Sequence, residues 1–307
     1  MPGPSPATNL DDIGRVAHEL ANLSGPVILK HFRTAMPVEN KAGGGAFDPV
    51  TIADRGAEKA IVEELATRFP DHGIVGEEFG TKAGSSSFQW VIDPIDGTRS
   101  FIMGSPLWGT LIGVLKDGVP YFGLMDQPFT GERFWSGDQA SYHSVRGGQP
   151  VAMKSRSCTR IEDAILTSTH PDLFEGERAA VLAHLKSVAR LTRYGGDCYS
   201  YCLLAAGHVD LIIESDLKPY DIVALIPIIE RAGGRVTTWD GSDASSGGDI
   251  IAAGDPRLLR AAHPGHDLGA RHAEPGLVDP LHRVDVVDEP LHHQRLVNEV
   301  SSGERVL

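Results

Sequence analysis

The sequence is poor in cysteine, in positive charge and in long apolar runs, and each shortage excludes something. Three cysteines in 307 residues cannot make a disulfide framework. Cys198 and Cys202 lie four apart, as on one face of a helix, and are expected to be buried free thiols. No apolar run approaches the roughly 20 residues of a bilayer-spanning helix. The opening MPGPSPATNLDDIGRVAHEL lacks the charged-then-apolar pattern of a secretion signal. The expectation is a cytosolic protein with no membrane partner. Lys and Arg number 28 against 41 Asp and Glu, for a net charge of -13, and no five basic residues stand together. Nucleic acid is therefore excluded as a partner. A chain this acidic must borrow cations to handle an anionic substrate, and metal ions are one source.

What is present is ordinary globular material, 41% hydrophobic and 22% charged, enough for one large domain or two smaller ones. A Pro-rich start leads to Thr8 and Asp11, spaced as a capping box. Leu10, Ile13, Ala17, Leu20 and Ala21 then recur at helical spacing, predicting a helix to about Phe32. ENKAGGGAFDPVTIAD reads as a glycine-rich loop before a second helix with Ala57, Ile61 and Leu65 as its stripe and Pro70 as its stop. HGIVGEE and FQWVID read as short buried strands ending in acids. From Trp108, β-rich runs are separated by Asp117-Gly118 and Thr130-Gly131, which predicts hairpins and an antiparallel sheet.

After about Arg146, strands and helices alternate, which argues for an α/β half. The strands are read in DAILTST, LTRYGG, HVDLIIES, GRVTTWDG and GDIIAAG, and the helices in ERAAVLAHLKSVAR, DCYSYCLLAAG and YDIVALIPIIERAGG. Pro227 predicts a kink in the last of these. The expected organisation is an N-terminal α+β half over 1–146, a C-terminal α/β half over 147–262, and a polar tail over 263–307. That tail holds five of the 13 histidines between His266 and His293 and is expected to be disordered. No internal repeat is visible.

The acids carry the chemistry. Asp93 and Asp96 close an apolar run in WVIDPIDGTRSF, and Glu77 and Glu78 close another. A carboxylate at the end of a buried strand costs free energy unless it is paired, and Arg99 is the only cation close in sequence. Any one of these acids, taken alone, reads better as a solvated loop residue. Together they call for a divalent cation. Oxygen donors without His or Cys favour Mg2+, with Mn2+ or Ca2+ as competitors. Gly97 permits close backbone approach and Thr98 supplies a hydroxyl. If a helical turn starts there, its N–H groups beside Asp96 can hold a phosphate. Carboxylates, metal and phosphate amides in one stretch suggest phosphoryl transfer to water, with two metals about 4 Å apart clamping the attacking and leaving oxygens. Asp221, at the opening of an apolar helix, reads on sequence alone as an N-cap.

GEE at 76–78, WVIDPIDGTRSF at 90–101 and KPYDIVALIPIIERAGG at 218–234 occur in an order that resembles the inositol monophosphatase family, over roughly residues 8–260. The resemblance implies an α/β fold of alternating α-β-α-β-α layers shared with fructose-1,6-bisphosphatases. It also implies a Mg2+-dependent, lithium-sensitive phosphatase, with two or three metals per site and Mn2+ as a substitute. Carried over by residue, Glu77, Asp93 and the carbonyl of Ile95 hold one metal, and Asp93, Asp96 and Asp221 a second. Asp54 bonds the hydroxyl of Thr98 and reaches a third, weaker metal. Glu77 and Thr98 orient and deprotonate the attacking water, and Glu78 orients the site without touching metal. Asp96, Gly97 and Thr98 are the phosphate contacts. A homodimer is implied by the same analogy.

WGTLIGVLKDGVPYFGLMDQPFTGERF and RYGGDCYSYCLLAAGHVDLIIESDLKPYD are most similar to the bacterial histidinol-phosphate phosphatases of the family. Where inositol-selective members are small and apolar, Asp197 follows Gly195-Gly196. A carboxylate there suits the ammonium or imidazole of histidinol. Glu214 matches a position that contacts a substrate hydroxyl in inositol-selective relatives, and here adds a second anion. Arg193 is the third candidate substrate residue; alternatively it pairs with Asp197. The first expectation is hydrolysis of L-histidinol phosphate in histidine synthesis. An inositol-1-phosphate or broad sugar phosphatase and an inactive metal-binding scaffold stand as alternatives. The loop after Lys41 departs from the family pattern in length, which leaves Lys41 without an assigned role.

Overall fold

A computed structural model describes residues 9–35, 37–41 and 49–262. Thr8, the glycine-rich loop over 42–48 and the tail expected to be disordered lie outside the described residues. Helix α1 (Leu10–Leu29) is capped by Asn9, whose Oδ1 accepts from Asp12 N at 2.9 Å. The helix ends three residues before Phe32, because His31 N turns back to Ile28 O in a tighter turn.

The hairpin β1 (Val38–Asn40) and β2 (Pro49–Thr51) precedes α2 (Ile52–Arg68). A large sheet then forms from β3 (Gly73–Gly76), β4 (Gly80–Lys82) and β5 (Phe88–Asp96). After the short helix α3 (Thr98–Met103) it continues with β6 (Gly109–Lys116), β7 (Val119–Gln127), β8 (Glu132–Ser136), β9 (Ser141–Val145) and β10 (Val151–Met153). Its order is β10-β9-β8-β7-β6-β5-β3-β4, antiparallel except where β3 runs parallel to β5. Asp117 and Gly118, at φ 52° and 80°, supply the two left-handed residues of the β6–β7 turn that the dipeptide predicts.

The second sheet takes β11 (Ile165–Ser168), β12 (Leu191–Tyr194) after α4 (Glu177–Val188), and β13 (Leu211–Leu217) after α5 (Asp197–Ala205). Helices α6 (Pro219–Ile222) and α7 (Leu225–Glu230), then β14 (Arg235–Thr238), β15 (Gly248–Ala253) and α8 (Pro256–Ala262), complete it. The order is β12-β11-β13-β15-β14, with β11 parallel to both β12 and β13. The helix predicted to kink at Pro227 is instead two helices with a break at 223–224. Proline has no N–H for the carbonyl four residues earlier, which is Val223, so the interruption falls one turn upstream of the ring.

Burial orders these elements into layers. Ile13, Val16 and Leu20 of α1 and Ile61 and Leu65 of α2 pack on Trp90, Ile92, Phe122 and Leu124 of the large sheet. The opposite face of that sheet presents Leu111, Met125 and Phe134 to α5 and α7, which also meet Ile212, Ile250 and Ala252 of the second sheet. Leu211, Ile213 and Ile251 point the other way, onto Leu182 and Leu185 of α4 and Leu258 of α8. The runs LII and IIAA are continuously apolar because alternate residues feed different cores. The result is the α-β-α-β-α layering that the family resemblance implies.

Candidate active site

The C-terminal end of β5 answers why two aspartates stand three apart. On a regular strand, side chains three apart point to opposite faces. Here Asp93 pairs with Leu111 and Asp96 with Gly109, so three steps on β5 match two on β6. This bulge, at Pro94 with its missing N–H, turns both aspartates to one side. Asp93 Oδ1 accepts from Ile95 N at 3.0 Å and Thr110 Oγ1 donates to Pro94 O at 2.8 Å, holding the bulge in place.

Asp221 joins them from α6. One carboxylate oxygen each of Asp93, Asp96 and Asp221 lies within 4.8 Å of the others. Asp221 is not the N-cap read from sequence: Lys218 holds that position, and Asp221, the third residue of the helix, reaches back so that its Oδ2 accepts from Lys218 N at 2.6 Å. Glu77 arrives by register. Gly76 pairs with Ile92 across the parallel β3–β5 ladder, and Glu77 N donates to Ile92 O at 3.2 Å, which sets Glu77 beside Asp93.

The electrostatics are those of a cation site. Burial pushes the Asp93 carboxyl well up, with the charges of Glu77, Asp96 and Asp221 adding to it; Asp93 is only 2% exposed. Burial likewise raises Asp96, aided by Asp197 and Asp221, and takes Asp221 to about 7. Crowded, enclosed carboxylates are costly as anions unless positive charge compensates them. Four hard-oxygen side chains with no His or Cys fit a divalent cation of the Mg2+ or Mn2+ kind.

Gly97, at φ 88°, turns the chain into α3; a Cβ there would lie 3.0 Å from both Leu107 O and Asp197 Oδ2. Thr98 Oγ1 donates to Ile95 O at 3.1 Å. The bond expected between Asp54 and Thr98 is therefore not made. Asp54 is the third residue of α2, and its Oδ2 accepts from the N–H and hydroxyl of Thr51, closing a capping box at the helix start. Its Oδ1 is buried without a partner, and burial lifts the carboxyl to about 6.

Residues far away in sequence complete the pocket. Asp197, at the start of α5 with a left-handed φ of 43°, accepts from Ser100 Oγ at 3.2 Å, and Cys198 N donates to Asp96 Oδ2 at 2.5 Å. Glu214, on the central β13, is 2% exposed; its Oε1 accepts from Thr169 N at 2.7 Å and Oγ1 at 3.0 Å, while Oε2 has no partner. Burial raises this carboxyl to about 8. Arg193 is exposed on the edge strand β12 and makes no ion pair with Asp197 among the described residues.

Two features escape sequence reasoning. Lys41 Nζ bridges Glu77 and Glu78, 2.8 Å from Oε1 of each, from a loop whose path no local pattern fixes. The Tyr201 hydroxyl, the Thr167 and Ser168 hydroxyls and Glu214 Oε2 are buried without hydrogen-bond partners. Thr167, Ser168 and Glu214 lie toward the C-terminal ends of the parallel β11 and β13, where open α/β sheets bind ligands. The visible signal was a hydroxyl pair at the end of an otherwise apolar strand, in LTST.

The arrangement can hold a cation, a phosphate at the start of α3, and a polar group between Asp197 and Glu214. The chain is 43% identical over 266 residues to the bifunctional phosphatase IMPL2, chloroplastic, of Arabidopsis thaliana, covering 83% of this chain and 75% of the relative. It is 36% identical over 207 residues to the histidinol-phosphatase of Mycobacterium tuberculosis, covering 66% and 79%. A solved inositol monophosphatase structure from Zymomonas mobilis superposes with a TM-score of 0.72 at 40% identity, over 82% of this chain and 96% of that one. The model of the inositol monophosphatase family matches residues 9–269, and the chain belongs to that family.

Proposed function

We propose that this phosphoric monoester hydrolase acts on phosphate esters of amino alcohols, L-histidinol phosphate first among them. The observation that carries the reading is the pair of enclosed carboxylates, Asp197 and Glu214, beside the acidic cluster. A neutral polyol gains little from the Asp197 carboxylate in a low-dielectric wall, whereas an ammonium or imidazolium offsets its charge and favours the ionised form of Glu214, whose carboxyl burial raises to about 8. Curated histidinol-phosphatases at 36% and 33% identity support the same substrate class. The likeness to the Zymomonas inositol monophosphatase favours the competing reading, an inositol or sugar phosphate.

Glu77, Asp93, Asp96, Asp221 and the carbonyl of Ile95 would hold two magnesium ions, with a third near Asp54, manganese as a substitute and lithium as an inhibitor. Bound there, the metal supplies Lewis acidity that lowers the pKa of water and offsets charge on the leaving oxygen. The protein's residues do the rest. Thr98 spends its proton on Ile95 O, which leaves its oxygen lone pairs to accept from the attacking water. Glu77, beside Asp93, takes the water's other proton. The N–H groups of Gly97 and Thr98, at a helix start where no intrahelical carbonyl serves them, receive the phosphate together with Asp96. Asp197 and Glu214 orient the amine-bearing end; Arg193, exposed on its edge strand, contributes from the rim. A homodimer is expected.

The decisive measurement is kcat/KM for L-histidinol phosphate against inositol-1-phosphate. A preference for the first is expected, and a tenfold or greater preference for the second rejects it. Asp197→Ala should raise KM for histidinol phosphate by about tenfold or more, the loss of one charge-assisted contact. Hydrolysis of p-nitrophenyl phosphate, which has no amine, should change little; equal effects on both esters would remove Asp197 from amine recognition.

A further inference from the structure

We propose that Glu58, one helical turn after Asp54 on α2, is a positioning residue that locks the turn carrying Glu77. The proposal rests on the metal-site reading given above. Glu58 is fully buried, and its carboxylate accepts two backbone N–H groups, Glu78 N on Oε2 and Phe79 N on Oε1, each at 2.9 Å. These two amides lie in the three-residue turn between β3 and β4, just past the last β3–β5 rung, Gly76 with Ile92. No ladder serves them, so without Glu58 they would turn to water for an acceptor.

Two observations distinguish this carboxylate from ordinary helix packing. An apolar residue would fill the same space on the Ala57–Ile61–Leu65 face without the cost of enclosing an acid. The neighbouring strand is also cut to fit it, because a Cβ on Gly76 would lie 2.0 Å from Glu58 Oε1. Side chain and backbone are thus held separately. Lys41 Nζ grips the carboxylates of Glu77 and Glu78, and Glu58 grips the peptide units on which they hang. With the second grip released, the Glu77 carboxylate is free to swing away from Asp93. Groups that orient a metal ligand typically change metal affinity by about 10- to 100-fold.

The test measures magnesium affinity by calorimetry on the full chain, with unfolding temperature in chelator as the fold control. Glu58→Gln keeps the volume but turns one acceptor into a donor facing an N–H. It should weaken magnesium binding by about tenfold or more. Gly76→Ala, with Glu58 intact, displaces the same carboxylate and should give the same loss. The double variant should be no worse than either single one. If Glu58→Gln does not fold, Gly76→Ala carries the test alone. A lower unfolding temperature with magnesium affinity within twofold of wild type would make Glu58 merely structural and overturn the proposal. Glu77→Gln separates the two levels. If it weakens magnesium binding while Glu58→Gln does not, only the positioning role falls. If Glu77→Gln binds magnesium as wild type does, the metal-site reading falls and takes this proposal with it.

Discussion

At the scale of single residues, the site is a set of carboxylates held where water does not favour them. Glu214 is the clearest case, since its ordinary partner count is halved: Oε1 is bonded to Thr169 and Oε2 to nothing. Its folded pKa, pushed up to about 8 by burial, exceeds the unfolded value of about 4.3. The native state therefore binds the proton more tightly, and the Glu214 contribution to stability is present at low pH. That contribution is lost as pH rises from the ordinary glutamate range to about 8. Glu214→Gln should remove the loss. The stability difference between variant and wild type should grow across that window, by at most about 1.4 kcal/mol per pH unit. Urea denaturation at a series of pH values measures it, and a pH-independent difference would refute the assignment.

At the scale of elements, interruptions do the positioning. The β5 bulge aims Asp93 and Asp96, and the α6–α7 break lets the chain carrying Asp221 lie against the large sheet. That contact is close: Gly113 and Gly123 pair across β6 and β7, and a Cβ on Gly123 would lie 1.8 Å from Ala224 O. Gly123→Ala should therefore push the junction off the sheet and destabilise the fold by about 1–3 kcal/mol, the usual cost of overpacking. Turnover should fall with it, because Asp221 rides on the same segment. Urea midpoints and kcat are the readouts; a fully active, equally stable variant would show that the junction tolerates the shift.

At the scale of the whole molecule, the site joins segments from both sheets, so a cation there should stabilise the entire cooperative unit. Magnesium at about 100 times its dissociation constant should add about 2.7 kcal/mol, or roughly 5–10 °C in unfolding temperature for a unit of this size. Asp93→Asn should abolish that rise together with hydrolysis. In chelator it should be no less stable than wild type, since it removes a buried like charge. A variant that kept its magnesium response would not have lost a ligand.

What the sequence by itself determined is the local and the periodic. Apolar runs such as LII and IIAA become strands buried on both faces, the Asp-Gly dipeptide becomes a left-handed turn, and HGIVGEE and WVID become strands with acids at or just past their ends. These follow from φ/ψ preference and side-chain alternation, which act over a few residues. Tertiary structure alone decided the rest. It left Arg193 exposed and, through the β3–β5 register, set Glu77 beside Asp93. It brought Lys41 to the acids across 36 residues, Glu58 to the turn across 20, and Cys198 N to Asp96 across 102. Such contacts are set by how layers close on one another, and no spacing along the chain encodes which amide a buried carboxylate will meet.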